Sequence, residues 1–289
     1  DCWFNDDPQK FLGKKYKKED YIQSTDICEV WFDSGSTHSF VLEKRKDLTW
    51  PASMYLEGSD QHRGWFQSAL LTSIGTRDRA PFRAVLTHGF ILDHNGRAMS
   101  KSGGNSISPL DIVERNGADV LRLWVASVDY RNDVRLSDEI MSHVVETYRT
   151  IRNTLRFQLG NLSDFNAGRD TVALEDMNPI DRWILHETGQ FLKSVTAAYE
   201  NYEFQRAYQL INRFCAVTLS ATYHDILKDR LYTFGRRSRE RQSAQTAIYH
   251  VFDSLLRVLA PVLVFTADES RSFADHGEEY GAGSVHDLD

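Results

Sequence analysis

One loop, residues 96–105, constrains how this chain can fold more than any other stretch. It follows an apolar, strand-like run at 82–92 and precedes a helix-like run that starts near Ser108 and Pro109. Glycines let an anion approach the backbone, while hydroxyls, a lysine and the amides of a following helix can donate to it. The pattern is compatible with an α/β region that carries a phosphate-binding loop. Composition alone favours the alternative, an ordinary solvent-exposed loop.

Composition narrows the class of protein. The 289 residues suffice for two ordinary domains, and the net charge of −7 means that any nucleic-acid binding needs a local basic face. Three widely spaced cysteines argue against a disulfide framework or a zinc site and favour a reducing compartment. The chain shows no signal-peptide pattern and no apolar run of about 18 residues. We therefore expect a cytoplasmic protein without membrane contacts.

The pattern changes near Ser137. Apolar residues then recur every three or four positions and predict long amphipathic helices over about 137–165, 179–199, 204–227 and 238–260, with a short one ending near Phe273. Two shorter helices, broken at Asn116–Gly117, precede them, and Asp119 and Arg122 are interpreted there as surface charges. Nearer the start of the chain, a helix is expected up to about residue 75, with Asp60 as its N-cap. Together these helices predict an antiparallel bundle.

Two basic groups in the bundle could bind RNA or could simply be solvated. The first is one face of the helix over 137–165, with Arg149, Arg152 and Arg156. The second follows the helix over 204–227 and comprises Lys228, Arg230, Arg236, Arg237, Arg239 and Arg241. Tyr232 and Phe234 near the second group could stack on unpaired bases.

Three motifs give the chain a resemblance to a known family. Met99-Ser100-Lys101-Ser102 resembles the KMSKS signature of class I aminoacyl-tRNA synthetases, with Ala98 in place of its first lysine. The runs WFDSG, beginning at Trp31, and YLEGSDQHRGWF, beginning at Tyr55, resemble the isoleucine-specific family of these enzymes. The likeness covers about residues 26–269.

The resemblance implies a fold and its boundaries. It implies an α/β, partial Rossmann-like nucleotide-binding half followed by an all-α antiparallel bundle. The expected parts are the second half of the catalytic domain at 1–107, a stem-contact connection at 108–136, a helical anticodon-binding bundle at 137–275 and a tail at 276–289.

The resemblance also implies a reaction and a set of site residues. ATP, with Mg²⁺, would activate isoleucine, which would then pass to tRNA(Ile); a monomer is expected, and no metal site of the protein's own. The expected catalytic residues are Ser100, Lys101 and Ser102. Expected adenylate contacts are Glu57, Gly58, Asp60, Gln61, His88, Gly89, Met99 and Lys101. Trp31 and Trp65 would wall the amino-acid pocket. The tRNA contacts would be Arg149, Arg152, Arg156, Arg236 and Arg237.

Departures from the family pattern limit the activity that the resemblance implies for this chain alone. No HIGH motif occurs, nothing resembles an editing domain, and no cysteine cluster could bind zinc. We therefore expect this chain to be a portion of such an enzyme that is inactive alone. The alternatives are a tRNA-binding module without catalysis, and a valyl- or leucyl-type relative. The complete YLEGSDQHRGWF run favours an enzyme, because an RNA-binding module has no need of it.

Overall fold

The computed structural model describes residues 2–99, 104–274 and 283–287. The chain divides into two compact units, Asp1–His88 and Gly89–Asp289, called here the N-terminal and C-terminal units. Helices dominate the molecule, and its sheet structure is limited to two small parallel pairs of strands in the described residues. None of the described helices combines the length and the apolar character needed to cross a bilayer.

The N-terminal unit is built around two parallel strands, β1 (Tyr55–Gly58) and β2 (Val85–His88). Its helices are α1 (Cys2–Asn5), α2 (Gln9–Leu12), α3 (Val30–Gly35) and α4 (Trp65–Arg77). Shorter 3₁₀ and π turns span Lys18–Asp20, His38–Leu42 and Ser59–Arg63. Only Tyr55, Phe66 and Ala69 form its buried apolar cluster among the described residues. The core of this unit is therefore small.

The start of α4 differs from the sequence-based expectation. Asp60 was expected to cap the helix, but it lies inside the 3₁₀ turn, and α4 begins only at Trp65 after Gly64. The carboxamide of Gln61 takes the capping role, because its Oε1 accepts a hydrogen bond from the Trp65 amide at 3.1 Å. The prediction for Asp60 as a cap was wrong.

The predicted strand over 82–92 is two strands. After β2, the amide of Gly89 donates to the Tyr130 carbonyl at 2.8 Å, and the amide of Phe90 donates to the Asp133 carboxylate at 2.7 Å. The chain then continues as β3 (Ile91–Leu92), which pairs in parallel with β4 (Val134–Arg135) in the C-terminal unit. Gly89 allows this close approach, since a Cβ there would overlap the Asn132 backbone.

The C-terminal unit is helical beyond its short β3–β4 pair. Its helices are α5 (Pro109–Asn116), α6 (Ala118–Ser127), α7 (Asp138–Leu162), α8 (Ala167–Asp170), α9 (Pro179–Glu200), α10 (Phe204–Arg213), α11 (His224–Thr233), α12 (Arg239–Leu259) and α13 (Val264–Phe273). A π-helical segment, Phe214–Tyr223, joins α10 to α11, and short 3₁₀ turns span Leu174–Asp176 and Val285–Asp287. The amphipathic pattern thus predicted the helices well, including the break between α5 and α6. One boundary was wrong: the helical run expected to end near residue 227 continues to Thr233, so Lys228 and Arg230 lie in α11 and not after it.

The core of the bundle is extensive and continuous. Ile151, Ile184, Leu219, Phe252 and Leu255 are completely buried and belong to one apolar cluster. Local signals fix the helix ends: the Ser137 hydroxyl accepts from the Ile140 amide at the start of α7, and Pro179 occupies the first turn of α9.

Two predicted surface charges are engaged within the fold. Asp119 is buried, and its carboxylate accepts hydrogen bonds from the Thr266 amide at 2.7 Å and the Thr266 hydroxyl at 2.6 Å. The two carboxylate oxygens of Asp119 thus accept from the amides of Phe265 and Thr266, in the first turn of α13, which have no partner within the helix. Arg122 donates to the carbonyls of Pro261 and Val262, just before that helix. The interpretation of Asp119 was wrong because its partner lies about 150 residues away along the chain. Arg122 is exposed, as expected for a surface charge, although its guanidinium is engaged by these carbonyls.

Candidate functional site

The carboxyl ends of β1 and β2 bring two candidate residues side by side. The strands pair with Glu57 opposite Thr87 and Gly58 opposite His88. Because the strands are parallel, both end at the same edge, where ligands bind in α/β sheets. The Glu57 carboxylate lies 3.8 Å from Nε2 of His88, and both side chains are substantially exposed. A hydrogen bond from the Gly58 amide, at 3.0 Å, fixes one Glu57 oxygen.

The turn after β1 orients the next pair of candidates. Asp60 and Gln61 lie in the Ser59–Arg63 turn, where Nε2 of Gln61 donates to Asp60 at 3.0 Å. The other end of the Gln61 carboxamide caps α4. A Cβ at Gly58 would lie 2.6 Å from an Asp60 oxygen, so the carboxylate rests close against the strand end. Glu57, Asp60 and Gln61 therefore form one polar rim at the end of β1.

Both tryptophans lie next to this rim. The Trp65 ring stacks on Tyr55 with centroids 4.2 Å apart, and its indole N–H donates to the Ser34 carbonyl at 3.1 Å. The Trp31 ring lies over Gly64, where a Cβ would come within 2.8 Å of it. Trp31 is 44% exposed, so an apolar face remains open to a ligand. The Trp31 ring therefore packs against Gly64, the residue that precedes Trp65 in the chain.

Helix α3 is fixed against α4 by polar and steric contacts. The Thr72 hydroxyl donates to the Gly35 carbonyl at 3.0 Å, and the absence of a side chain at Gly35 lets Ser68 approach. His38 is buried nearby and accepts a hydrogen bond from the Trp50 indole at 3.3 Å. Burial lowers the pKa of His38, so the neutral imidazole is favoured there. These contacts position the backbone that carries Trp31.

The loop at residues 96–105 is held at its base by Asp93. This buried carboxylate accepts hydrogen bonds from the amides of Asn95 and Arg97 and from the Asn105 side chain, at 2.8–3.0 Å. These hydrogen bonds, led by that from Asn105, lower the pKa of Asp93. Ala98 forms an antiparallel bridge with Leu92, so the chain makes a hairpin at the start of the loop. Sequence reasoning missed Asp93, although an acid before an Asn-Gly turn is a recognisable signal.

The loop's own catalytic candidates lie outside the described residues. They are Ser100, Lys101 and Ser102. Met99, at the edge of the described part, is partly buried against the core of the C-terminal unit. Gly89 has a structural role in the approach to Asn132.

The arginines of the first basic group lie on the exposed face of α7. Arg149 pairs with Glu146, whereas neither Arg152 nor Arg156 forms an ion pair with any described residue. This face therefore has cations available to an anionic ligand.

The second basic group is largely occupied by the protein's own acids. Arg236 and Arg241 bind Asp164, Arg239 binds Asp176, and Lys228 binds Asp225. Burial works to raise the pKa of Asp164, but the hydrogen bonds from Arg241, Arg236 and Gln245 outweigh it and lower the pKa well below its usual range. Arg236 nevertheless remains mostly exposed, and Arg237 has no ion pair within the described residues.

Arg230 belongs to a buried cluster that sequence reasoning missed. Its guanidinium forms a two-point ion pair with Asp181, at 2.7 and 2.8 Å, and both side chains are largely or fully buried. Asp181 also accepts from the hydroxyls of Tyr223 and Ser243. Burial, and then the nearby Asp181 charge, raise the pKa of Tyr223. Arg230 therefore holds α9, α11 and α12 together.

No group of three or more His, Cys, Asp or Glu side chains in the described residues could hold a metal ion. The candidate site of the N-terminal unit is a polar strand edge next to two tryptophans. The helical unit separately carries exposed basic groups.

Comparison with known proteins places these features in a family. Residues 1–137 match the family model described as tRNA synthetases class I (I, L, M and V), and residues 181–287 match the anticodon-binding domain of tRNA ligase. The isoleucine–tRNA ligase of Symbiobacterium thermophilum is 53% identical over 94% of this chain, and that of Moorella thermoacetica is 55% identical over 89%. The chain spans 30% and 27% of the lengths of these relatives.

Solved structures agree on the fold. The ternary complex of Agrobacterium radiobacter K84 agnB2 LeuRS with tRNA and LeuAMS superposes with a TM-score of 0.69 and 18% identity, covering 91% of this chain and 32% of that one. Mycobacterium tuberculosis methionyl-tRNA synthetase in complex with methionyl-adenylate superposes with a TM-score of 0.69 and 19% identity, and the match covers 83% of this chain and 49% of that one. The two family models and the high identity to isoleucine–tRNA ligases lead to one conclusion: residues 1–137 belong to the class I tRNA synthetase family, and residues 181–287 belong to the anticodon-binding domain family of tRNA ligases.

Proposed function

We propose that this chain is the part of an isoleucine–tRNA ligase that binds the aminoacyl-adenylate and the tRNA. The observation that carries the proposal is the juxtaposition of Glu57 and His88 at the parallel strand ends, in the same unit in which Trp31 packs against the residue before Trp65. In this proposal the strands belong to the second half of a Rossmann-like nucleotide-binding domain. The expected domain boundaries near 107, 136 and 275 are part of the same proposal.

The reaction is the activation of isoleucine by ATP. A carboxylate oxygen of isoleucine attacks the α-phosphorus, a new P–O bond forms, and the bond to the β-phosphate oxygen breaks as pyrophosphate leaves. Little covalent work falls to side chains, so positioning and electrostatic stabilisation dominate.

Each rim residue has a role that its position suits. The exposed Glu57 oxygen accepts from the isoleucine ammonium, and Asp60 accepts from the ribose hydroxyls. Gln61 contacts the amino-acid end, while Trp31 and Trp65 enclose its side chain. Gly58, His88, Gly89 and Met99 border the nucleotide in this proposal.

Lys101, with Ser100 and Ser102, stabilises the charge on the leaving phosphates. Mg²⁺ is held largely by substrate phosphates in many ATP sites. That mode fits the described residues, which offer the separate carboxylates Glu57 and Asp60 and no three-ligand group. The ion would accompany ATP and lessen the negative charge of its phosphates.

The second substrate is tRNA(Ile), which binds to the helical unit. Its proposed contacts are the exposed arginines of α7, which are Arg149, Arg152 and Arg156, and the pair Arg236 and Arg237. A tRNA-binding module without catalysis remains the second candidate, because Ala98 removes one cation from the loop. The 53–55% identity to isoleucine–tRNA ligases favours isoleucine over the valyl- or leucyl-type alternative.

The test is isoleucine-dependent exchange of pyrophosphate into ATP, measured with a protein of the relatives' full length that contains this segment. We expect exchange with isoleucine, and a fall of about 10²–10³-fold for Lys101→Ala. Lys101→Arg, which keeps the charge, is the matched control. Absence of exchange in the wild type would contradict catalysis and favour the binding module. The 289-residue chain alone is expected to give no exchange.

A further inference from the structure

A cavity in the C-terminal unit includes none of the residues proposed to contact the adenylate or the tRNA. It has a volume of about 280 Å³ and opens between the loop after α6 and the turn that joins α9 to α10. We call it the α9–α10 pocket. It is lined by Val128, Asp129, Tyr130, Arg131, Tyr202, Glu203, Phe204, Gln205 and Arg206. Ligand pockets for drug-sized molecules range over roughly 300–1,000 Å³, so this volume suits one small planar group.

Aromatic rings form one wall of the pocket. Phe204 lies 5.8 Å from the Tyr130 ring and 6.3 Å from the Tyr202 ring, centroid to centroid. Tyr202 remains 43% exposed. Its backbone has φ of +56°, which is uncommon for a residue with a side chain. The turn is held by hydrogen bonds from Tyr202 N to Tyr199 O and from Glu203 N to Ala198 O. The exposed ring is therefore held in place by the end of α9.

The pocket's charges leave one cation available. Glu203 is paired with Arg206 at 2.9 Å. Asp129 accepts hydrogen bonds from the Asn132 side chain at 2.8 Å and from the Arg131 amide at 3.3 Å. The Arg131 guanidinium is exposed and has no ion pair or hydrogen bond with the residues that the structure describes. An anionic ligand group would therefore meet Arg131 first.

Hydrogen bonds hold the wall that carries Arg131. The Tyr130 hydroxyl donates to the Tyr202 carbonyl at 2.9 Å and so ties the two sides of the pocket together. The Tyr130 carbonyl accepts from the Gly89 amide, and Asp133 accepts from the Phe90 amide. A rigid pocket avoids much of the ordering cost of binding.

We propose that the α9–α10 pocket binds one unpaired nucleotide of an RNA, with its base against Tyr202 and Phe204 and its phosphate at Arg131. Aromatic rings stack on any base, and an arginine beside them neutralises the backbone phosphate. The inference rests on the proposed function, which supplies tRNA as the RNA. It adds a contact that is separate from the arginines of α7 and from Arg236 and Arg237.

The test measures binding of an in vitro transcribed isoleucine tRNA to the 289-residue chain by fluorescence anisotropy, over a series of salt concentrations. Tyr202→Leu removes the stacking ring and keeps apolar volume, and we expect affinity to fall at least about fivefold. Arg131→Gln should make the slope of log affinity against log salt shallower by about 0.7–0.9, the loss of one phosphate contact.

Matched controls separate a local contact from general effects. Tyr16→Leu changes another tyrosine that is 43% exposed, and Arg83→Gln removes another exposed arginine. Both should bind tRNA as the wild type does. A blunt RNA duplex, which offers no unpaired base, should bind equally to the wild type and to Tyr202→Leu. Circular dichroism of each variant checks that the helices remain folded.

The outcomes separate this inference from the proposed function. Wild-type binding with no change in Tyr202→Leu or Arg131→Gln would overturn the pocket and leave tRNA recognition standing. Absence of wild-type binding would overturn tRNA recognition by this chain and the pocket with it. An equal loss for tRNA and duplex would also overturn the pocket, because a duplex has no unpaired base to insert.

Discussion

The two units of this chain handle apolar surface in opposite ways. The bundle buries a long continuous cluster, with Ile184, Leu219 and Phe252 completely inaccessible. In the part of the N-terminal unit that the structure describes, Tyr55, Phe66 and Ala69 form the one buried apolar cluster, and Phe32 and Leu71 are more than half exposed. Its polar candidates lie at an open strand edge. The difference indicates that stability resides in the bundle, whereas the proposed chemistry lies in a unit with little core of its own.

The largest expected effect is at Asp181 in the bundle. Asp181→Asn removes the charge that Arg230 meets inside the protein, so an uncompensated buried cation remains. We expect the free energy of unfolding to fall by about 3–5 kcal/mol. Urea denaturation followed by circular dichroism measures it. Asp253→Asn, in the exposed pair with Arg257, is the control and should cost at most about 1 kcal/mol. Equal losses of unfolding free energy for Asp181→Asn and Asp253→Asn would contradict a larger contribution of the buried ion pair to stability.

The next prediction compares one leucine in each unit. Leu255→Ala should cost about 2–5 kcal/mol, because Leu255 is completely buried and its removal leaves a cavity. Leu71→Ala, at a leucine that is 63% exposed, should stay within about 0.5 kcal/mol. The same denaturation experiment measures both. A larger loss at Leu71 would show that the N-terminal unit carries more of the stability than its small core indicates.

His224 makes the bundle sensitive to acid. Burial lowers its pKa from 6.5 to about 4, and its ring stacks on Phe157 with centroids 4.3 Å apart. Below pH 6.5 the unfolded chain binds a proton that the folded chain rejects. The contribution of neutral His224 to the free energy of unfolding is therefore fully present above pH 6.5. It is lost as the pH falls towards 4, which lowers the free energy of unfolding by about 3 kcal/mol.

Thermal unfolding of the wild type and of His224→Gln between pH 7 and pH 4 isolates this effect, since other titrating groups are common to both. The difference in stability between the two should shrink as the pH falls. A constant difference across the range would show that His224 titrates alike in the folded and unfolded states.

The smallest effect on stability, and the most local, is at Gly64. A methyl group there would come within 2.8 Å of the Trp31 ring, so the ring must move. Gly64→Ala should change tryptophan fluorescence while the helices keep their circular dichroism signal. In a full-length synthetase it should raise the KM for isoleucine. Gly75→Ala, where the added methyl meets nothing, is the matched control. Unchanged fluorescence would show that Trp31 does not line the pocket as described.

Local patterns in the sequence predicted what local physics controls. The periodicity of α7, α9 and α12, and the helix starts at Ser137 and Pro179, are set by neighbours a few residues away. Asp119 and Asp181 were missed because their partners, Thr266 and Arg230, are distant along the chain and nothing local marks them. The division of the strand at Gly89 likewise depends on Asn132.

The site itself was found from motif resemblance more than from pattern. Glu57 and His88 carry no periodic signal that pairs them, and only the parallel register of β1 and β2 brings them together. Gln61 was expected as a ligand contact, and its capping of α4 could not be read from the sequence because Asp60 is the commoner cap. The roles of Ser100, Lys101 and Ser102 stay predictions.

The central claim is that the end of β1 holds the adenylate, and binding of a non-hydrolysable isoleucyl-adenylate analogue tests it most directly. Calorimetry with the full-length synthetase would compare the wild type, Glu57→Gln, and Glu114→Gln as a control at an exposed glutamate of α5. Loss of a charged hydrogen bond to the ammonium predicts at least about tenfold weaker binding for Glu57→Gln and no change for the control. Equal affinity of Glu57→Gln and the wild type would contradict the account.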